Sequence, residues 1–334
     1  MNQPFAARRL LLPLVPVYRL ALEIRERRLR SGREPVRRLR WPVVSIGNLS
    51  AGGAGKTPLT ITLAQALARR GLYVDVLSRG YGRHSRHPAR VDPQGTVDEF
   101  GDEPLLIARE AKVPVYVAAQ RYAAGLLVET GRKLDVPHGV HLLDDGFQHR
   151  QLHRDVNILL LSREDCEDRL LPAGNLREPL SALCRATIIV IPADGDPQWV
   201  EAKLRARGWD GPIWRLRRHM EVPPADEVAG PAAALCGIAR PAQFFDGLEA
   251  AGLRLAARIA FPDHHRYTAR EIGRIQAVAR HAGAAAIITT EKDLMRLGGL
   301  FASIPESLPL KTARLRVEIE DEAAALDFLE SKVS

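Results

Sequence analysis

A glycine-rich loop lies between a short apolar strand and an amphipathic helix near the start of the chain. Residues 43–46, Val-Val-Ser-Ile, favour a buried strand, and Gly52-Gly53-Ala54-Gly55-Lys56-Thr57 precedes a helical pattern that runs to Arg69. Backbone N–H groups in such a loop curl around phosphate oxygens, and the helix N-terminus adds a partial positive charge. Strand, loop and helix in this order are what a phosphate-binding P-loop requires. The sequence therefore predicts an α/β fold built around a P-loop.

The same loop supplies the predicted nucleotide contacts. Lys56 is expected to reach the β- and γ-phosphates of ATP, and the Thr57 hydroxyl to bind Mg²⁺. Ser50 stands where the P-loop pattern has its first glycine, so a flexible Gly-rich turn is the alternative interpretation. The residues predicted to line the nucleotide are Ser50, Ala51, Gly52, Gly53, Ala54, Gly55, Lys56 and Thr57.

A second predicted part of the site is a pair of acids at the end of another strand. Val140-His141-Leu142-Leu143 is an apolar run, and Asp144 and Asp145 follow it directly. A P-loop enzyme needs a carboxylate that faces its metal, and the end of a parallel strand is where such an acid lies. An Asp-Asp-Gly turn without a metal is the alternative. With the P-loop upstream, the sequence predicts that Thr57, Asp144 and Asp145 bind Mg²⁺.

The chain divides into four predicted segments. Apolar runs alternate with helical patterns over residues 41–220, which is typical of a mostly parallel sheet flanked by helices and predicts a P-loop domain. A Pro- and Ala-rich stretch predicts a linker at 221–232, and a second, smaller α/β domain is expected at 233–334. Residues 1–40 form the fourth segment, and the last element predicted is a strand at Ala284–Thr289.

The net charge of +8 comes entirely from residues 1–40, which hold eleven arginines and three acids. Val15, Tyr18, Leu22 and Leu29 fall close to helical spacing with arginines between them. This pattern predicts a basic amphipathic helix that lies on an anionic membrane surface. A helix packed on the protein's own core is the alternative. A nucleic-acid enzyme is disfavoured, because no aromatic-interleaved basic face accompanies the arginines.

Membrane crossing and secretion are not indicated by the sequence. No run of about 18 apolar residues occurs, and the apolar stretch at residues 10–18 contains two prolines and no small-residue cleavage site. Cys166, Cys184 and Cys236 match no disulfide or zinc spacing, which favours a reducing compartment. We therefore expect a soluble or peripheral cytoplasmic protein.

Seven ordered blocks resemble the tetraacyldisaccharide 4'-kinase family over about residues 41–293. They are Gly47-Asn48 with Gly52–Pro58, Ser78-Arg79-Gly80-Tyr81-Gly82, Gly101-Asp102-Glu103-Pro104, Asp144-Asp145-Gly146-Phe147-Gln148-His149, Leu171–Gly174 with Leu176-Arg177-Glu178-Pro179, Phe261-Pro262-Asp263-His264, and Thr290-Glu291-Lys292-Asp293. The resemblance implies an ATP- and Mg²⁺-dependent kinase that phosphorylates the 4'-hydroxyl of a tetraacyldisaccharide 1-phosphate and forms lipid IVA. It also implies a peripheral location on the cytoplasmic face of the inner membrane.

The resemblance further implies roles for residues outside the P-loop. The family's catalytic dyad corresponds to Asp102 and His264, and its acceptor site includes the block around Arg79. A carboxylate that accepts a hydrogen bond from imidazole raises the basicity of the ring, which suits removal of a hydroxyl proton. A helix N-cap and a polar loop are the alternatives for these two residues.

Three further residues are candidates for the acceptor site. Arg121 follows a predicted strand near the same sheet edge, with a surface helix as its alternative. Glu103 and Glu178 are expected near the metal or the disaccharide, although a first-turn helix position and an exposed turn explain them equally well. The competing function is a membrane-associated P-loop ATPase that acts as a switch or chaperone without a sugar-lipid acceptor. A monomer is compatible with the sequence.

Overall fold

Strands and helices alternate through most of the chain. The computed structural model describes residues 8, 10–53, 55–131, 139–224, 227–228 and 230–333. Its strands are β1 Val43–Asn48, β2 Tyr73–Ser78, β3 Ala89–Arg90, β4 Val115–Val117, β5 Gly139–Asp144, β6 Val156–Leu160, β7 Ile188–Pro192, β8 Ile213–Glu221, β9 Ala232–Cys236, β10 Leu255–Ala260, β11 Ala286–Thr290 and β12 Leu310–Ile319. Its α-helices are α1 Val15–Arg30, α2 Lys56–Arg69, α3 Val97–Phe100, α4 Asp102–Ala111, α5 Arg121–Gly131, α6 Arg163–Glu167, α7 Pro197–Arg205, α8 Pro241–Ala250, α9 Ala269–His281, α10 Glu291–Leu297 and α11 Glu322–Val333.

The strands of the described residues form one sheet in the order β10-β9-β11-β12-β8-β7-β6-β1-β5-β2-β4-β3. Neighbouring strands are parallel except at β12–β8 and β3–β4, which are antiparallel. Parallel strands need crossover connections, and the helices supply them. The predicted fold class, a mostly parallel α/β sheet with flanking helices, is confirmed.

The central strands are apolar throughout because helices cover both faces of the sheet. Every residue of β1 is buried, and Val44 and Ile46 pack in the same cluster as Leu59 and Leu63 of α2. On the opposite face, Val43 packs in a cluster with apolar residues of α5. Burial on both faces removes the in-and-out alternation that a half-exposed strand would show.

The C-terminal residues return to the P-loop part of the molecule. Strand β12 pairs with β8 along six residues, and Thr62 on α2 donates to the Val317 carbonyl at 3.1 Å. Leu326 and Leu329 on α11 are buried in the cluster that also contains α2. The sheet thus runs through both of the domains predicted from the sequence, and the division at residue 233 stays a prediction.

Helix α1 contacts the body through one side. Tyr18 donates its hydroxyl hydrogen to the Arg177 carbonyl at 2.9 Å, and Glu26 pairs with Arg150. The four residues whose spacing predicted the helix, Val15, Tyr18, Leu22 and Leu29, are all half-buried, so this spacing describes the side toward the body. The exposed apolar side chains in α1 and just before it are a different set: Leu10, Leu11, Leu12, Leu14, Val17, Leu20 and Ile24. Within the described ranges, no helix is long and apolar enough to cross a bilayer.

Candidate active site

The P-loop forms where β1 ends and α2 begins. Gly52 and Gly55 have φ angles of 115° and 85°, and Gly55 directly precedes the helix. These left-handed conformations favour glycine. Ser50, which departs from the P-loop pattern, is fully buried, and its hydroxyl accepts a hydrogen bond from Asn48 Nδ2 at 3.0 Å. Ser50 therefore packs as a buried polar residue, while Ala54 lies outside the described residues.

Lys56 and Thr57 begin α2 directly after the loop. Lys56 Nζ donates to Asn48 Oδ1 at 2.9 Å and lies 3.5 Å from Asp145 Oδ1. Thr57 is buried in the first turn of the helix. The sequence-predicted lysine thus lies beside one of the two predicted acids, at the carboxyl end of the parallel strands, where α/β folds bind ligands.

Asp144 and Asp145 have opposite electrostatic environments although they are adjacent. Asp144 is 1% exposed, and burial, reinforced by the negative charges of Glu103 and Asp145, raises its pKa to about 7. Asp145 has a φ of 46° and accepts two hydrogen bonds from the Arg177 guanidinium, both at 3.1 Å. Burial opposes its ionisation, but the charges of Lys56 and Arg177 outweigh burial and hold its pKa well below the ordinary value.

These donors fit Mg²⁺ bound together with a nucleotide. The pKa of the buried Asp144 is raised although the charges of Lys292 and Lys56 oppose the shift, so a further cation facing Asp144 would be stabilised there. Within the described part of the chain, no group of three or more His, Cys, Asp or Glu side chains could enclose a metal ion. Two carboxylates and the Thr57 hydroxyl suit Mg²⁺, which keeps waters and takes phosphate oxygens as ligands.

Arg177 is a site residue that the sequence analysis did not select. Besides Asp145, its guanidinium donates to Asn48 Oδ1 at 2.7 Å and to the Ser50 carbonyl at 3.1 Å. It therefore joins the P-loop to the acid at the end of β5. Its neighbour Glu178, which the sequence placed near the metal or disaccharide, pairs with Arg185. The block Leu176-Arg177-Glu178-Pro179 contains both residues and was the feature of the sequence that could have identified Arg177.

Asp102 and His264 meet across 162 residues of sequence, with His264 Nδ1 3.1 Å from Asp102 Oδ2. Gly101 has a φ of 88°, and a Cβ there would lie 2.8 Å from the Tyr81 carbonyl oxygen, so glycine is required immediately before Asp102. Asp102 is buried, whereas His264 is partly open to solvent. The hydrogen bond to Asp102 raises the pKa of His264.

Helix α10 carries two cations to the acids of α4. Lys292 Nζ lies 2.5 Å from Glu103, and Arg296 Nε donates to Asp102 Oδ2 at 2.7 Å. The two cations are four residues apart, so they share one face of α10. Neither cation was assigned a role from the sequence, although Lys292 belongs to one of the resembling blocks. Glu103 is thus placed as an ion-pair partner beside the dyad.

Arg121 is a nearly buried cation whose NH1 group donates to the Ala119 carbonyl at 3.1 Å. Burial and the nearby charge of Arg79 lower the pKa of Arg121 to about 10. Burial and the charges of Arg121 and Arg154 lower the pKa of His149 to about 3. The structure therefore brings the two predicted acceptor-site arginines, Arg79 and Arg121, within electrostatic reach of one another in a region of excess positive charge.

The parallel sheet, the P-loop and the strand-end acids define a P-loop nucleotide-binding protein. A model of the family "Tetraacyldisaccharide-1-P 4'-kinase" matches residues 7–334. The chain belongs to this family, as the sequence resemblance predicted, and it is therefore a kinase that acts on a lipid disaccharide.

Individual relatives agree with the family assignment. A tetraacyldisaccharide 4'-kinase from Koribacter versatilis is 44% identical over 300 residues, which are 87% of this chain and 88% of the relative. One from Parvibaculum lavamentivorans is 40% identical over 326 residues, or 96% and 87% of the two chains. A crystal structure of LpxK from Aquifex aeolicus in complex with ATP is 31% identical, with a TM-score of 0.74 over 98% of this chain and 100% of that chain.

Proposed function

We propose that the protein transfers the γ-phosphoryl group of ATP to the 4'-hydroxyl of a tetraacyldisaccharide 1-phosphate and so forms lipid IVA. The observation that carries the proposal is that one network of charged side chains joins a P-loop lysine, whose charge acts on Asp144, to the Asp–His pair. Lys292 connects them, since its charge acts on both Asp102 and Asp144. A phosphate donor and a hydroxyl acceptor bound there would meet in one site.

The donor half of the site consists of the P-loop and the strand-end acids. Lys56 neutralises the β- and γ-phosphates, while the nucleotide lies along Ser50–Thr57. Thr57, Asp144 and Asp145 would hold Mg²⁺, whose charge would offset the negative charge that develops as the phosphoryl group transfers. Arg177 keeps Asp145 ionised and fixed against the loop. Asp144 becomes fully ionised when a cation faces it.

The acceptor half depends on Asp102 and His264. In its ionised form Asp102 accepts the Nδ1 hydrogen of His264, which leaves the Nε2 lone pair free to take the hydroxyl proton as the phosphoryl group arrives. The raised pKa of His264 makes the ring a stronger base. Because Asp102 and His264 come from different predicted domains, closure of the two parts around the substrates would exclude water and limit ATP hydrolysis.

Positive charge favours an anionic acceptor. Arg79 and Arg121 are proposed to bind the phosphorylated disaccharide, and a dianionic group there would offset both the burial and the repulsion from Arg79 that lower the pKa of Arg121. Glu103 and Glu178 are proposed to orient sugar hydroxyls, each while held by its own cation, Lys292 or Arg185.

The lipid substrate places the enzyme at a membrane. We place it peripherally on the cytoplasmic face of the inner membrane, with α1 in the headgroup region. The lipid-facing side chains are the exposed apolar set in α1 and just before it: Leu10, Leu11, Leu12, Leu14, Val17, Leu20 and Ile24. Arginines along the same helix would contact anionic headgroups.

The experiment is a transfer assay with γ-labelled ATP, Mg²⁺ and defined tetraacyldisaccharide 1-phosphate in mixed micelles. We expect label in a chloroform-soluble product whose new phosphate is at the 4' position by phosphorus NMR. Lys56→Ala should abolish transfer, while Lys203→Ala, which changes an exposed lysine on α7, should not. Label that reaches only inorganic phosphate would instead support the switch or chaperone ATPase.

A further inference from the structure

Arg296 is a buried arginine whose side chain is 3% exposed and surrounded by acceptors. Its Nε donates to Asp102 Oδ2 at 2.7 Å, and a second nitrogen of the guanidinium bonds the same oxygen. NH1 donates to the Gly237 carbonyl at 2.5 Å and to Asp293 Oδ1 at 3.1 Å. The guanidinium is therefore locked between two carboxylates, one on α4 and one on its own helix.

Asp293 fixes Arg296 in this position. Asp293 is fully buried and accepts hydrogen bonds from the Thr290 hydroxyl at 2.6 Å, the Tyr267 hydroxyl at 3.0 Å and the Gly237 backbone N–H at 3.0 Å. A buried carboxylate with this many donors has a single well-defined orientation. Arg296 thus has little freedom to leave Asp102.

The charged groups around Asp102 and His264 determine the protonation state of Asp102. Burial would favour the neutral form of Asp102, but the hydrogen bond with His264 and the charges of Arg296 and Lys292 outweigh burial and hold its pKa well below the ordinary value. Arg296 also lies 3.3 Å from His264 Nδ1, where its charge opposes the imidazolium. The other groups that face His264 are the Tyr81 ring, at 5.0 Å between centroids, and Asp263, 3.9 Å from Nε2.

We propose that Arg296 is a positioning residue for phosphoryl transfer: it holds Asp102 as an ionised, oriented acceptor for the His264 Nδ1 hydrogen, so that Nε2 is presented to the acceptor hydroxyl. The inference rests on the proposed role of the Asp102–His264 pair. Without Arg296, a buried Asp102 would keep only the imidazole and the more distant charge of Lys292 as positive partners, and the ring would hold its proton more tightly. Arg296 therefore sets how readily the dyad receives and releases a proton.

The test compares Arg296→Gln and Arg296→Lys with the wild type in the transfer assay across pH. Arg296→Gln should lower kcat by about tenfold to a hundredfold, leave the KM for ATP unchanged, and move the acid limb of the kcat profile to higher pH. Arg296→Lys keeps the cation and should keep the limb near its wild-type position. Arg274→Gln, at an exposed arginine of α9, is the matched control and should match the wild type.

A double-mutant cycle separates positioning from a merely structural role. In a His264→Ala background, Arg296→Gln or Arg296→Lys should cause no further loss of kcat, because the group that Arg296 orients is gone. An added loss in that background, or a lowered kcat with an unmoved acid limb, would overturn the inference. If Arg296→Gln does not fold, the Arg296→Lys cycle decides the question. Wild-type turnover in His264→Ala would instead reject the dyad itself.

Discussion

The Arg177 guanidinium binds both carboxylate oxygens of Asp145 at 3.1 Å and also donates to the Ser50 carbonyl in the P-loop. Such a two-point contact fixes a carboxylate in orientation as well as in charge. Lys56 lies 3.5 Å from Asp145 Oδ1, so two cations act on this acid. The glycine-rich loop and the acid-bearing end of β5 are therefore one connected unit.

Breaking this contact should weaken nucleotide binding. We expect Arg177→Ala to raise the Kd for Mg·ATP by at least about tenfold, since hydrogen bonds to charged groups contribute roughly 1.5–3 kcal/mol each. Isothermal titration calorimetry measures this directly. Arg169→Ala, at an exposed arginine eight positions earlier, is the control, and an unchanged Kd in Arg177→Ala would contradict the account.

A buried ion cluster on the far part of β5 predicts how stability depends on pH. His141 is fully buried, with Nδ1 2.9 Å from Asp75 and Nε2 3.3 Å from Glu129. Burial opposes its charge, but the two carboxylates outweigh burial and raise its pKa to about 9.

The sign follows from comparing folded and unfolded states. The pKa of His141 in the folded protein lies above its ordinary value of 6.5. The ion cluster therefore stabilises the fold fully below pH 6.5, and this stabilisation is lost as the pH rises toward 9 and beyond. The contribution of His141 to the free energy of unfolding is up to about 3 kcal/mol. Urea unfolding across this range should show falling stability in the wild type and a flatter profile in His141→Gln. His281→Gln, at an exposed histidine, should keep the wild-type slope, and equal slopes in all three would refute the cluster's role.

The exposed face of α1 predicts membrane binding. Replacing Leu14, Val17 and Ile24 with serine should lower partitioning onto anionic vesicles by at least about tenfold, because each apolar side chain contributes on the order of 1 kcal/mol or more when it leaves water. Flotation measures the bound fraction, with ATP affinity as the check on folding. Val278→Ser combined with Phe301→Ser changes exposed apolar residues elsewhere and should bind like the wild type. Undiminished binding of the triple variant would contradict the proposed face.

Local motifs made the P-loop and the fold class predictable from sequence, because a strand, a glycine-rich loop and a helix are contiguous. Arg177 and Arg296 were not predictable in the same way. Their partners lie 129 and 194 residues away, so only the folded sheet brings them together. From the sequence alone, an arginine in an exposed loop cannot be distinguished from an arginine in a buried network of ion pairs.

The C-terminal strand was missed for a related reason. Residues 310–319 of β12 include charged side chains that interrupt an apolar pattern, and Arg316 is satisfied by Glu110, Glu221 and Glu291 on three other elements. Those partners make the strand compatible with partial burial.

The spacing of apolar residues in α1 correctly predicted a helix. The residues that gave this spacing lie on the side of the helix that contacts the body, because spacing identifies an apolar face without identifying what covers it.

The most direct test of the account is turnover in His264→Ala compared with its affinity for ATP. If His264 takes the hydroxyl proton, kcat should fall by about a hundredfold or more, while the Kd for ATP stays within about twofold of the wild type. Asp102→Ala should behave in the same way. His265→Ala, which changes the neighbouring histidine, should keep most of the turnover. Wild-type kcat in His264→Ala, with label still transferred to the lipid, would contradict the central claim.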